Sequence, residues 1–188
     1  MIYVKDPVVS ERAKHTDIWT KVECYGDTSV GLEDVPRFME IVQPRQGASI
    51  IDVGAGNCLA TRALIEQGLD TWAMDITSVA LPPDISKFYE MPIWGEWRGA
   101  FTYGYCCDVL QYVPPEYVML CIDRMIMQCR KVWLHVSFVV DKYADKVGEP
   151  LHKTIMPYEW WLLRIATLAR IEEARDLCES GIFVVRHK

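Results

Sequence analysis

The chain has 188 residues, 51% of them hydrophobic and 11% aromatic, which suits one globular domain with a real core and excludes a disordered chain. Its net charge of −6, with no basic run, counts against a nucleic-acid polyanion as the main partner, because phosphate binding needs clustered Lys and Arg. No apolar stretch approaches the roughly 20 residues that span a bilayer, and the start, Met1 to Pro7, lacks the apolar core of a secretory signal.

In chain order, residues 10–24 read as an amphipathic helix, with Ser10 as N-cap and Ile18, Trp19 and Val22 at helical spacing. Tyr25-Gly26-Asp27 breaks it. A second helix is expected over 31–43, with Leu32, Val35, Phe38, Met39 and Val42 on its apolar side, before a turn at Pro44 and Gly47. From there the pattern alternates. Residues 49–53 are a short β-rich run, and 58–67 a helix with Leu59, Ala63 and Leu64 inward and Gly68 just past its end. Residues 71–75 form a second strand, 77–87 a Pro-rich indistinct stretch, and 88–91 a short third strand. Residues 101–107 are a clear apolar strand in which Cys106 and Cys107 read as small buried hydrophobes. Pro115 opens a helix over 115–129, with Glu116 at the positive end of its dipole and Val118, Cys121, Ile122, Met125 and Ile126 inward. Residues 132–138 are another strand. A loop of about a dozen residues follows, a length that often carries function. A helix over 157–169 carries Trp160 and Trp161, and strands over 171–177 and 182–186 close the chain as an antiparallel pair.

Strands alternating with helices predict an α/β fold, a mostly parallel sheet with an antiparallel last strand and helices on both faces. One domain is expected, with 1–46 as an N-terminal helical cap and 47–188 as the core. Seven cysteines without a Cys-x-x-Cys pair point to a reducing, cytoplasmic setting and no metal site.

In such a fold, ligands bind at the carboxyl ends of the strands near the switch in strand order. The first strand ends in Asp52-Val53-Gly54-Ala55-Gly56-Asn57-Cys58. Glycine lets the backbone turn tightly and lets a ligand approach closely. A dinucleotide fingerprint needs Gly-x-Gly-x-x-Gly, and its last position here is Leu59. An S-adenosylmethionine (SAM) site needs no pyrophosphate pocket. It keeps an acid two residues before the first glycine, Asp52, and an acid at the end of the second strand, Asp75, whose carboxylate can accept both ribose O–H groups. An ordinary tight strand-to-helix turn is the plain alternative.

Three segments resemble the class I SAM-dependent methyltransferases: Ile51 to Asn57, Ala73 to Ile76, and Phe101 to Pro114, which contains Cys107-Asp108-Val109-Leu110. Tyr103 to Glu116 and Leu151 to Leu162 are similar to segments of small methyltransferase-like proteins encoded by bacteriophages. The resemblance implies a Rossmann-like class I methyltransferase sheet, with SAM as cofactor and S-adenosylhomocysteine (SAH) as product. It implies that Asp52, Gly54, Ala55, Gly56 and Asn57 line the methionine end. Asp75 and Ile76 would hold the ribose and flank the adenine, with Glu90 or the backbone at Met91 in place of the usual adenine acid. Cys107, Asp108 and Val109 would lie beside the sulfonium. The chain departs from the family at Cys58, at Tyr112 and at Pro92.

Methyl transfer from a sulfonium is an in-line displacement, so placement of the nucleophile dominates and a base is needed only if the acceptor must lose a proton. His152, in the late loop, is the candidate base, with a surface histidine as its alternative. Asp108 and Tyr112 complete the catalytic candidates, Tyr112 with a packed aromatic as its alternative. His135 reads as a core or sheet-face residue, and His15 and His187 as surface. Tyr25 reads as a packing aromatic or as a cover over SAM; Trp160 and Trp161 read as helix packing. Val113-Pro114-Pro115-Glu116 lacks the polar first residue and the aromatic of the amino-directed DNA methyltransferases. The expected partner is therefore a small-molecule or nucleotide acceptor, with nucleic acid disfavoured, no membrane, and a homodimer left open. A SAM-fold binding protein without transfer activity, and a nucleic-acid or protein methyltransferase, are the competing readings.

Overall fold

A computed structural model describes residues 7–23, 25–27 and 29–188; residues 1–6, read above as lacking a signal core, and Cys24, read as the end of the first helix, lie outside them. Two helices come first, α1 (Pro7–Lys21) and α2 (Val30–Val42), followed by β1 (Ser49–Val53), α3 (Leu59–Glu66), β2 (Asp70–Asp75), β3 (Phe88–Glu90) and β4 (Phe101–Cys107). A 3-10 turn at Leu110–Tyr112 leads into α4 (Pro115–Gln128), β5 (Cys129–Ser137), α5 (Ala144–Val147), α6 (Tyr158–Leu168), β6 (Ala169–Asp176) and β7 (Ser180–His187). The strands form one sheet in the order β3-β2-β1-β4-β5-β7-β6. Pairs β1–β2, β1–β4, β2–β3 and β4–β5 are parallel, while β7 runs antiparallel between β5 and β6.

Period-2 alternation sorts the core into two layers. On β5, Val132, Leu134 and Val136 face one side with α4 and α6, whereas Trp133 faces the other with Phe38 of α2 and Leu64 of α3. The buried residues of α4 are Val118, Cys121, Ile122, Met125 and Ile126, the set its helical period predicted. Trp161 is fully buried; Trp160 is only partly so and carries the guanidinium of Arg164 over its ring at 4.4 Å. Three local expectations are corrected. Ser10 is not an N-cap, because α1 already runs from Pro7. Leu32 is 39% exposed and off the inner face of α2, whose N-cap is Ser29, accepting from the Leu32 N–H at 3.2 Å. On α3 the buried residues are Ala60, Thr61 and Leu64; the inner face is rotated by about one position, because the turn hands the chain to the helix with Cys58 still left-handed.

The order reverses between β1 and β4: from β1 the chain moves outward to β2 and β3, then returns to β4 on the other side of β1. Side-by-side parallel strands whose following connections leave in opposite directions open a crevice at their carboxyl ends. Val53 and Cys107 end there.

Candidate active site

The turn after β1 is built by backbone bonds. The N–H groups of Gly54 and Ala55 both donate to the Met74 carbonyl, at 2.7 and 3.0 Å, and the Cys58 N–H donates to the Ala55 carbonyl at 2.8 Å. Three residues carry positive φ: Gly54 at 75°, Gly56 at 52° and Cys58 at 61°. Cys58 also takes a left-handed conformation, and its Cβ makes that geometry cost roughly 1–2 kcal/mol. Gly54 and Gly56 are also needed for space. A Cβ on Gly54 would come within 2.3 Å of a Val109 methyl, and one on Gly56 within 2.6 Å of the Trp19 ring.

Two carboxylates brace the turn. Asp75, at the end of β2, accepts from the Gly56 N–H at 2.9 Å and from the Thr77 N–H at 3.2 Å. Burial pushes its carboxyl up, against the pull of those backbone donors. Asp52 lies beneath the turn, 4% exposed, and accepts from the Thr61 hydroxyl at 2.6 Å. Burial raises it to about 7, opposed by the Thr61 hydroxyl. A carboxyl whose folded value exceeds its unfolded one binds more protons when folded, so stability falls as pH rises from about 4 to 7 and then levels. Asp52→Asn is expected to flatten part of that fall, leaving the share due to Asp75 and Asp108; urea unfolding at pH 5 and pH 7.5 measures it. An unchanged difference between the two pH values would show that Asp52 ionises normally.

After β4, Asp108 adopts a φ of 61° and its N–H donates to the His135 carbonyl at 2.9 Å. Asp tolerates this region better than most residues. Its carboxylate accepts from the Gln111 side-chain amide, and burial raises it above the usual carboxylate range. The 3-10 turn then presents Tyr112, whose hydroxyl meets that of Tyr25.

The N-terminal segment closes the crevice. The Arg12 guanidinium donates to the Ile76 carbonyl at 2.8 Å, and the Thr16 and Thr77 hydroxyls are 3.1 Å apart. The buried stripe of α1 comprises Glu11, Lys14 and Ile18, with Glu11 and Lys14 paired to each other. Trp19 is held between Gly26 and Gly56, and Asn57 donates to the Gly26 carbonyl at 2.9 Å. A cavity of about 390 Å³ results, within the span of small-molecule sites. The glycine turn, Asp75, Ile76, Met91, Asp108 and Val109 line one part of it; α1, Tyr25, Tyr112 and Tyr143 line the rest.

Of the residues singled out from sequence, Gly54, Ala55, Gly56, Asn57, Asp75, Ile76, Met91, Cys107, Asp108, Val109 and Tyr112 share this cavity. Three do not line it. Asp52 supports the turn from below. Glu90 points away, to the Ser78 hydroxyl at 2.5 Å and to Arg12 at 3.6 Å. His152 packs edge-on behind Tyr112, ring centroids 4.7 Å apart. Its Nδ1 donates to the Val139 carbonyl at 2.6 Å, while Asp141 gathers the Leu151 and His152 N–H groups at 2.9 and 3.2 Å. His135 is a core histidine, with Nδ1 2.6 Å from the buried Asp34 and Nε2 2.9 Å from the Ser180 hydroxyl. His15, read from sequence as surface, lines the cavity. Its helical spacing from Glu11 and Ile18 was the available signal, masked because two residues of that stripe are charged.

No protein-family model matches the chain, and no curated protein matches its sequence. Solved structures do match. Magnesium protoporphyrin IX methyltransferase from Synechocystis PCC 6803, with bound SAM, is 15% identical with a TM-score of 0.70, over 99% of this chain and 100% of that one. The 1,6-didemethyltoxoflavin-N1-methyltransferase from Burkholderia thailandensis, with 1,6-didemethyltoxoflavin and SAH, is 17% identical with a TM-score of 0.65, covering 97% and 86%. The N-methyltransferase NodS from Bradyrhizobium japonicum WM9, with SAH, is 12% identical with a TM-score of 0.63, covering 97% and 99%. The fold is that of the class I SAM-dependent methyltransferases. At these identities the likeness concerns the fold; the activity is argued from the site.

The residues of the cavity fit SAM. Asp75 offers a buried carboxylate able to accept from a pair of hydroxyls, because its two oxygens have lone pairs beyond those used by Gly56 and Thr77. Ile76, Met91 and Val109 offer apolar surface that suits a purine, and Gly54, Ala55 and Gly56 reach the same cavity.

Proposed function

We propose that the chain is a SAM-dependent methyltransferase that methylates a small-molecule or nucleotide acceptor and releases SAH. One observation carries this reading: the Gly54–Gly56 turn, Asp75 and Asp108, from three different strand ends, line one cavity. When bound, SAM supplies an electrophilic methyl group on a sulfonium. Asp75 would hold the ribose, Ile76 and Met91 the adenine, and the turn the methionine. Asp108, Val109 and Tyr112 bound the space beside the methyl carbon and exclude water from it. Tyr112 separates His152 from the cavity, so His152 serves as a base only if the Tyr112 ring swings aside.

A small acceptor is supported by the scarcity of cations on the cavity wall, where Lys142 stands against the acidic residues Glu11, Glu33, Asp75 and Asp108, which offers phosphate backbones no basic track. The resemblance of Tyr103–Glu116 and Leu151–Leu162 to phage-encoded proteins is the ground for reading a phage origin and work in a host cytoplasm. Titration calorimetry with SAM and with SAH tests the reading: both are expected to bind, and absence of heat at millimolar ligand overturns it. Glu90, turned toward Arg12 and away from the adenine side, favours a second reading, a SAM-fold binding protein without transfer. That reading predicts that no labelled methyl from SAM enters any component of a cell extract.

A further inference from the structure

One wall of the cavity is left over once the cofactor groups are assigned. His15 of α1 faces Tyr112, ring centroids 5.4 Å apart and tilted by 58°. The Tyr112 hydroxyl meets Tyr25, and the Tyr25 ring takes the edge of Tyr143 at 5.2 Å. All four side chains line the cavity, as does Asp108. Among the described residues, neither ring nitrogen of His15 makes a hydrogen bond, so this wall presents a free imidazole amid aromatic rings. The cations nearest to it are already matched. Lys14 pairs with Glu11 on the same helix, and Lys153 of the late loop pairs with Glu149 at 2.5 Å. Lys142 is exposed at the rim.

We propose that this wall selects an uncharged aromatic molecule as the methyl acceptor, with a nitrogen of His15 accepting a hydrogen bond from its N–H or O–H group. The inference rests on the methyl-transfer reading and adds the acceptor class to it. The electrostatics agree. Burial, followed by the charges of Lys14 and Lys153, pulls His15 down to about 4. Burial pushes Tyr25 up to about 12 and raises Tyr112 and Asp108 as well. Four groups on three different segments are thus all driven toward their uncharged forms, and the loss of water responsible would penalise a charged ligand in the same way. A neutral imidazole has one nitrogen that accepts, which a protonated one lacks. Flat rings suit the site because aromatic edges and faces pack favourably at these separations.

The test uses the full chain saturated with SAH at pH 7, with histidine isotopically labelled for NMR. The probes are phenol and indole, uncharged at that pH, against benzoate and benzylammonium. Phenol and indole are expected to shift the His15 imidazole signals and to bind about tenfold more tightly than the charged probes. His15→Phe keeps a ring and removes both nitrogens; it should weaken phenol about tenfold and leave SAH affinity unchanged. His15→Gln, which keeps a polar acceptor, should recover part of the loss. Equal binding of a charged probe, an unaffected His15→Phe variant, or SAH saturation without binding of any probe would each overturn the acceptor class alone. Failure of SAH to saturate the protein would overturn the methyl-transfer reading itself.

Discussion

Asp75→Ala is expected to weaken SAH binding by about 100-fold, with the protein still folded. In the proposed complex this carboxylate accepts from both ribose hydroxyls, and loss of two charge-assisted hydrogen bonds at about 1.5 kcal/mol each amounts to roughly two decades. The variant should survive because the same change removes a carboxyl that burial already disfavours in its charged form. What it loses is the anchor on the Gly56 N–H at 2.9 Å and the Thr77 N–H at 3.2 Å; the Met74 carbonyl keeps its two bonds to the turn. Asp75→Asn retains one acceptor oxygen and should lie between, about tenfold weaker. Calorimetric titration with SAH gives the affinity, and thermal unfolding without ligand gives the control. An Asp75→Ala affinity close to that of the wild type would mean the ribose is held elsewhere.

Gly54→Ala carries the second large effect. The added Cβ meets Val109 at 2.3 Å on a backbone with φ of 75°, so strain arises from two sources. Left-handed backbone costs roughly 1–2 kcal/mol and forced overpacking roughly 1–3 kcal/mol, giving an expected destabilisation of about 3 kcal/mol in urea unfolding. Val109→Ala in the same chain removes the contact and not the dihedral strain, so the double variant should regain about half. SAH affinity should fall in both, because the turn moves relative to Asp75. If Gly54→Ala unfolds at the urea concentration of the wild type, the turn is looser than its geometry indicates.

Much of this architecture was legible in the residues. The inner face of α4 was readable because a surface helix on a sheet buries one stripe, and the period of 3.6 exposes it directly. β4 was readable because a strand covered on both faces must be apolar throughout. The convergence of Gly54, Gly56 and Asp75 was readable because each sits at a strand end, where chain order already implies proximity. α1 was not readable in the same way. Its buried residues include Glu11 and Lys14, a matched pair that folding tolerates only because each neutralises the other, and a pattern rule counts both as solvent-facing. His15 was misplaced for that reason. The position of His152 was not readable for another reason: a single aromatic ring, Tyr112, is interposed between it and the cavity.

The α/β alternation, the antiparallel final hairpin, the glycine turn and the acids at the ends of β1, β2 and β4 are all written into the residue pattern. Those features follow from local backbone preference and from the repeat of apolar residues, which act over a few positions. Only the tertiary structure decided which side chains share a cavity, because that depends on how α1 and the late loop dock across the sheet. Arg12 reaching the Ile76 carbonyl, Trp19 lodged between two glycines, and Tyr112 meeting both Tyr25 and His15 join residues up to 97 positions apart in the chain. Such contacts form only after the sheet has set the positions of both partners, and no local pattern encodes them.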